Sequence, residues 1–99
     1  MDESSEPVRF VDDTDTRRFE LSRGDALVGF ATYTNEPGTI TIVHTEVFPE
    51  FQHRGNASEL VRLALDDIRR RGLHVVPRCE FAARFVHEHP EYADLVRAG

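Results

Sequence analysis

The sequence predicts an α+β fold ordered ββββ-α-β-α-α, a mostly antiparallel sheet with one main helix laid on a face of it. Three observations predict it. Up to Val47 the chain passes through four segments of period-two or β-branched character, joined by short turns. From Gly55 the apolar period lengthens to about 3.6 residues. A short apolar stretch, "LHVVP" at 73–77, then reads as a fifth strand, and two helical patterns follow it.

Each element has its own signal. "MDESSEP" (1–7) is polar and acidic and is expected to be loose, which leaves 8–99 as a single domain. "VRFVDD" alternates and reads as the first strand, and "TRRFELS" repeats the signal. "RGD" at 23–25 lies between two strand patterns, where Gly24 supplies turn geometry, so it reads as a turn and not as an adhesion motif. "ALVGFATYT" is the third strand, "NEPG" at 35–38 a tight turn, and "TITIVHTEV" the fourth strand. Ala57, Leu60, Val61, Ala64, Leu65 and Ile68 then mark one apolar helix face. That helix stops at "RRRG", with Gly72 suited to a left-handed cap. "EFAARFVHEH" is the second helix, ending before Pro90, and "EYADLVRAG" a last short one.

The bulk numbers set limits. A chain of 99 residues makes one domain, which buries roughly 60–70% of its unfolded surface. Hydrophobic residues at 39% and charged residues at 30% suit an ordinary soluble core, and no apolar run approaches a membrane span. The first residues lack a basic segment followed by an apolar one, so no secretory leader is expected. One cysteine cannot close a disulfide within the chain, and a reducing, cytoplasmic setting is expected. The net charge is −6. Residues 1–16 hold six acids against Arg9, so the rest of the chain is nearly neutral. No broad basic field is present, which argues against a nucleic-acid partner. "RRR" at 69–71 closes a helix, where cations oppose the dipole's negative end.

The chemistry concentrates between strand and helix, in "QHRGNA" (52–57). A helix N-terminus offers unpaired N–H groups and the positive end of the dipole. A leading glycine lets an anion approach the backbone. The loop is therefore a candidate pyrophosphate cradle, with Gly55 for approach, Arg54 for charge and the amides of 54–58 as donors. It lacks the Gly-Lys-Ser/Thr of a Walker loop and the spaced glycines of a Rossmann fingerprint.

Gln-x-x-Gly-x-Ala between a strand and an Ala/Leu-rich helix resembles the acetyl-CoA motif of the GNAT acyltransferase superfamily. Four ordered blocks, "HTEV" (44–47), "QHRGNA" (52–57), "VVPRC" (75–79) and "HPEY" (89–92), resemble the very small single-domain GNAT-like proteins. The likeness spans roughly residues 17–96. It implies a minimal GNAT-like fold with splayed strands 4 and 5 and a CoA pyrophosphate on the loop. It implies a pantetheine arm along Glu46–Phe48 and acetyl-CoA as cosubstrate, with no metal. The implied contacts to acetyl-CoA are Val47, Phe48, Gln52, His53, Arg54, Gly55, Asn56, Ala57 and Ser58. His53, Asn56 and Glu80 depart from the usual pattern. Glu80 puts a carboxylate beside Cys79 that disfavours a thiolate.

Acyl transfer to an amine needs a polarised carbonyl, a proton acceptor and a managed thiolate. The resemblance assigns the carbonyl to a backbone N–H near Val47. His44 and Glu46, two apart on a strand and so on one face, have the chemistry of a base. Cys79 has three readings: acyl carrier, proton donor to departing thiolate, or pocket lining. Tyr33 and Tyr92 are read as core residues, and the histidines are not spaced to chelate a metal. The helices that usually wall the acceptor site have no room between the first two strands, so an open acceptor side is expected. That suits a macromolecular amine acceptor. Three readings stand: an acetyl-CoA-dependent N-acetyltransferase of unknown acceptor, a non-catalytic CoA-binding module that regulates a partner, or a purely structural interaction domain whose loop binds no phosphate.

Overall fold

The computed structural model describes residues 7–98. The acidic stretch expected to be loose lies, but for Pro7, outside the described residues. Five strands form one sheet in the order β1-β2-β3-β4-β5: β1 Val8–Asp13, β2 Arg18–Arg23, β3 Ala26–Glu36, β4 Thr39–Val47 and β5 His74–Pro77. The first four pair antiparallel in sequence order, as short turns require, and β5 joins β4 in parallel through the crossover helix α1, Asn56–Arg70. A second helix α2, Glu80–Glu88, follows. The last expected helix is instead a 3₁₀ segment, Pro90–Leu95. The segment is too short to repay an α-nucleus, and at Val96 the chain turns extended to bridge Val75.

The core lies on one face of the sheet. Phe19, Leu21, Ala31, Tyr33, Ile40, Ile42 and Val75 point from the strands toward α1, all within 6% exposure. α1 answers with Leu60, Val61, Ala64, Leu65 and Ile68, each fully buried. Every buried Leu or Ile of that stripe contributes roughly 1.5–3 kcal/mol. α1 is capped by Arg71, which Gly72 follows at φ +70°. Arg71 ties the helix end to β1, reaching Asp12 at 3.0 Å and Asp67 at 2.9 Å.

Both tyrosines turn out to be tethered. Tyr33 donates its hydroxyl to Asp12 at 2.6 Å, and Tyr92 to Asp66 at 2.7 Å. Burial, and then the carboxylate partner, push Tyr92 up to about 12 and Tyr33 higher still. Their folded values lie above the unfolded one near 10. The stabilisation is therefore complete below about pH 10 and is lost as pH rises through the folded values. With only two tyrosines in the chain, the ultraviolet titration is easily read. Folded protein at about pH 11 should show little tyrosinate, while its melting temperature already falls. Two ordinary titrations near pH 10 would contradict the tethered geometry.

Candidate functional site: a cleft at the β4–β5 fork

β5 follows β4 only from Thr39↔His74 to Ile42↔Pro77. The N–H groups of Arg78 and Cys79 then both donate to the Ile42 carbonyl, at 2.9 and 3.1 Å, and the chain leaves for α2. Residues 43–47 of β4 thus have no β5 partner, and the two strands diverge as a fork. A β-bulge sits where the fork opens. Val43 is the extra residue between the pairs Tyr33↔Ile42 and Thr32↔His44. It reverses the phase of the strand, so Thr45 and Val47 take the α1 face that Ile40 and Ile42 hold below. His44 and Glu46 go to the opposite face.

The loop between β4 and α1 is shaped by two left-handed residues, His53 at φ +65° and Gly55 at φ +80°. Gly55 caps α1 without a side chain, and a Cβ there would meet nothing within 4 Å. The first intrahelical bond is Glu59 N–H to the Gly55 carbonyl, which leaves the amides of 56–58 without helical acceptors. Asn56 is 2% exposed and braces the loop, donating to the Phe51 carbonyl and accepting from Arg23 Nε, both at 2.9 Å. Gln52 donates to the Val47 carbonyl at 2.9 Å. Phe48 N–H donates back to Val28, so strand alternation turns the Val47 peptide the other way, into the fork.

Fork and loop together enclose a cleft of about 380 Å³, bounded by Thr45, Val47, Phe51, Phe81 and the loop itself. Of the residues expected to contact acetyl-CoA, Val47, Gln52, His53, Gly55, Asn56, Ala57 and Ser58 line it. Asn56 does so with its amide already committed to the brace. Arg54 sits in the loop between two lining residues. Phe48 is turned away and packs on Phe30 across the other face, ring centroids 5.9 Å apart. Thr45, Phe51 and Phe81 were not anticipated. Thr45 was hidden between two more reactive neighbours, and Phe81 read as one position of a helix face.

Cys79 stands behind the cleft at the root of the fork. Its Sγ lies 3.3 Å from Thr45 Oγ1 and accepts from the Ala82 N–H at 3.3 Å as the N-cap of α2. His44 Nε2 lies 3.2 Å from Glu46 Oε1 on the open face, both groups about half exposed. That face carries no helix among the described residues. Both tyrosine hydroxyls are engaged with carboxylates, outside this site. Among the described residues no cluster of His, Cys, Asp or Glu is placed to hold a metal, and no helix is long and apolar enough to cross a membrane.

A fork between β4 and a parallel β5, with a glycine-led helix opening over it, defines an acyltransferase-type scaffold. A family profile of GCN5-related N-acetyltransferases matches residues 18–95. The chain belongs to that family. Among solved structures it is similar to a GCN5-like candidate N-acetyltransferase from Staphylococcus aureus, with TM-score 0.68 and 19% identity over 97% of this chain and 92% of that one. It is similar to the ribosomal-protein-S18-alanine N-acetyltransferase of Escherichia coli, with TM-score 0.58, 20% identity, and 89% and 55% coverage. A candidate GNAT-family acetyltransferase from Desulfovibrio desulfuricans gives TM-score 0.55, 22% identity, and 72% and 52% coverage. At these identities the likeness is one of fold, and the chain spans about half the length of the latter two. The curated proteins returned no match.

Proposed function

We propose that this chain is an acetyl-CoA-dependent N-acetyltransferase whose amine acceptor approaches the open face of the sheet. One observation carries the reading: a glycine-capped helix N-terminus and a β4–β5 fork share one cleft. The N–H groups of 56–58 and the open approach at Gly55 suit a pyrophosphate. The Val47 N–H, directed into the fork, suits a thioester carbonyl that gains negative charge during attack. Because the fork is a gap in the sheet, a carbonyl held there is reachable from the far face. His44 and Glu46 sit on that face. With Glu46 accepting from Nε2–H, His44 keeps Nδ1 free to take the proton that the attacking amine must lose. The four sequence blocks further suggest kinship with the very small GNAT-like proteins typified by human N-acetyltransferase domain-containing protein 1.

A second route runs through Cys79, and the 3.3 Å approach of Sγ to Thr45 favours it. There Sγ would attack the thioester carbonyl, the C–S bond to CoA would break, and the thiol proton would leave with CoA. The amine would then take the acyl group from sulfur and restore the thiol. Mass spectrometry with acetyl-CoA, before and after denaturation, tests both. A non-covalent complex is the expected result for either route. An acetyl mass that survives denaturation and disappears in Cys79→Ala identifies the covalent one. Absence of any complex at micromolar acetyl-CoA would end the acyltransferase reading. The bare acceptor face is also compatible with a CoA-binding module that regulates a partner. Complex formation with no acetylation of any amine tested would favour that module.

A further inference from the structure

The open face carries a second hollow, of about 410 Å³, at the other end of β4. It is lined by the directly opposed pair Thr34↔Thr41, by Thr39 and Glu36, and by Arg78 and Arg97. These arginines differ from most others on the body. Arg18, Arg62, Arg69, Arg70 and Arg71 each meet a carboxylate. Among the described residues the Arg97 guanidinium meets no carboxylate, contacting Thr39 Oγ1 at 3.4 Å and His74 Nδ1 at 3.2 Å. The Arg78 guanidinium makes no ion pair among the described residues. Both are anchored by their backbones, Arg97 N–H to the Val75 carbonyl and Arg78 N–H to the Ile42 carbonyl, each at 2.9 Å. In a chain of net charge −6, two arginines with no carboxylate partner among the described residues line one threonine-bearing hollow. That is the donor set of a site for a carboxylate or a phosphate.

Position gives the hollow its meaning. Thr41 and the His44–Glu46 pair lie on the same face of the same strand, three to five residues apart. At ~3.3 Å per residue the two are roughly 10–17 Å apart. We propose that Arg78 and Arg97 read an acidic group on the amine acceptor, and that the acceptor is an extended acidic peptide. The reacting amine would lie three to five residues from the acid. This rests on the acyltransferase reading above. Two cations in one pocket suit a single acid, whereas a nucleic acid would need a broad basic track.

The test is direct binding without acetyl-CoA, so that it does not depend on turnover. The probes are alanine-based hexapeptides with a free N-terminal amine and a glutamate at the fourth or fifth position. Their glutamine counterparts and inorganic phosphate are the controls. The glutamate peptides should bind about ten-fold tighter than the glutamine ones and shift the amide resonances of Thr34 and Thr41. That preference should shrink with salt and vanish in Arg78→Ala/Arg97→Ala, whose side chains are exposed and outside the core. Equal affinity for the two peptides would overturn the proposal, as would a preference that survives the double substitution. So would phosphate alone reproducing the shifts while the peptides give none. Acid preference found in a protein that transfers no acetyl group would overturn the enzymatic reading and leave the anion site standing.

Discussion

Gly55→Glu should weaken acetyl-CoA binding by at least about a hundred-fold while the protein stays folded. The two effects separate because Gly55 faces open space. A Cβ there meets nothing within 4 Å, so no packing is disturbed. The φ of +80° costs an L-residue roughly 1–2 kcal/mol. A carboxylate at the start of α1 recovers about 0.3–1 kcal/mol from the helix dipole. Net stability therefore changes little. For an incoming pyrophosphate the same carboxylate is a like charge placed where the backbone N–H groups of 56–58 must be approached, and a hundred-fold loss corresponds to only about 2.7 kcal/mol. Gly55→Asn separates charge from strain, since asparagine tolerates the left-handed region. It should keep most of the affinity. Calorimetric titration with a parallel melting curve checks both variants. Unchanged affinity in folded Gly55→Glu would move the pyrophosphate site off this loop.

Much of the scaffold was legible because local signals agreed with the global arrangement. Alternation and β-branching gave the strands, "NEPG" and "RGD" the turns, and the apolar stripe from Ala57 to Ile68 the helix face that is now buried. Gly72 was legible for the same reason. It takes the left-handed conformation that a helix C-terminus favours, whereas the positive φ of Gly55 at an N-terminus was not signalled. The site was less legible, chiefly because of one inserted residue. Read with an unbroken period of two, Ile40, Ile42, His44 and Glu46 share a face. Val43 breaks the period, and nothing in a β-branched run marks which residue will bulge. The bulge sends His44 and Glu46 to the open face and gives the cleft to Thr45 and Val47. Tertiary partners were invisible for a different reason. Arg23 holds Asn56 from thirty-three positions away, a contact that no local pattern encodes.

The division of faces also accounts for what the chain does with its charge. Ion pairs such as Arg62–Glu59 and Arg70–Asp67 run along the exposed side of α1, where each is worth only a few tenths of a kcal/mol. On the open face the pattern is different. Phe30 lies between the Arg18 guanidinium, 4.7 Å from its centroid, and the rings of His44 and Phe48. Phe30 thus adjoins the His44–Glu46 pair, and the hollow lined by Arg78 and Arg97 lies further along the same two strands.

Gly29→Ala should cost on the order of 3 kcal/mol, the largest stability loss expected from adding a single methyl group to this chain. A Cβ at Gly29 would sit 2.5 Å from the Glu46 carbonyl oxygen and 3.1 Å from Val47 Cα. Both are backbone atoms in a paired strand, so no rotamer change relieves the contact. β4 must move away from β3, against the Phe48 N–H bond to the Val28 carbonyl at 3.0 Å. For a domain of this size the melting temperature should fall by roughly 12–24 °C. The displacement falls on the segment that aims the Val47 N–H into the fork and carries Glu46 on its other face. Acetyl-CoA affinity should therefore drop even well below the melting transition. That pairing distinguishes Gly29 from an ordinary core position. Leu65→Ala, buried against the same sheet but remote from the fork, should cost about 2–5 kcal/mol through its cavity while leaving affinity in the folded fraction intact. Denaturant titration of both variants, with binding measured in the cold, makes the comparison. A Gly29→Ala protein within about 0.5 kcal/mol of the parent would mean that β4 has room to yield at the fork.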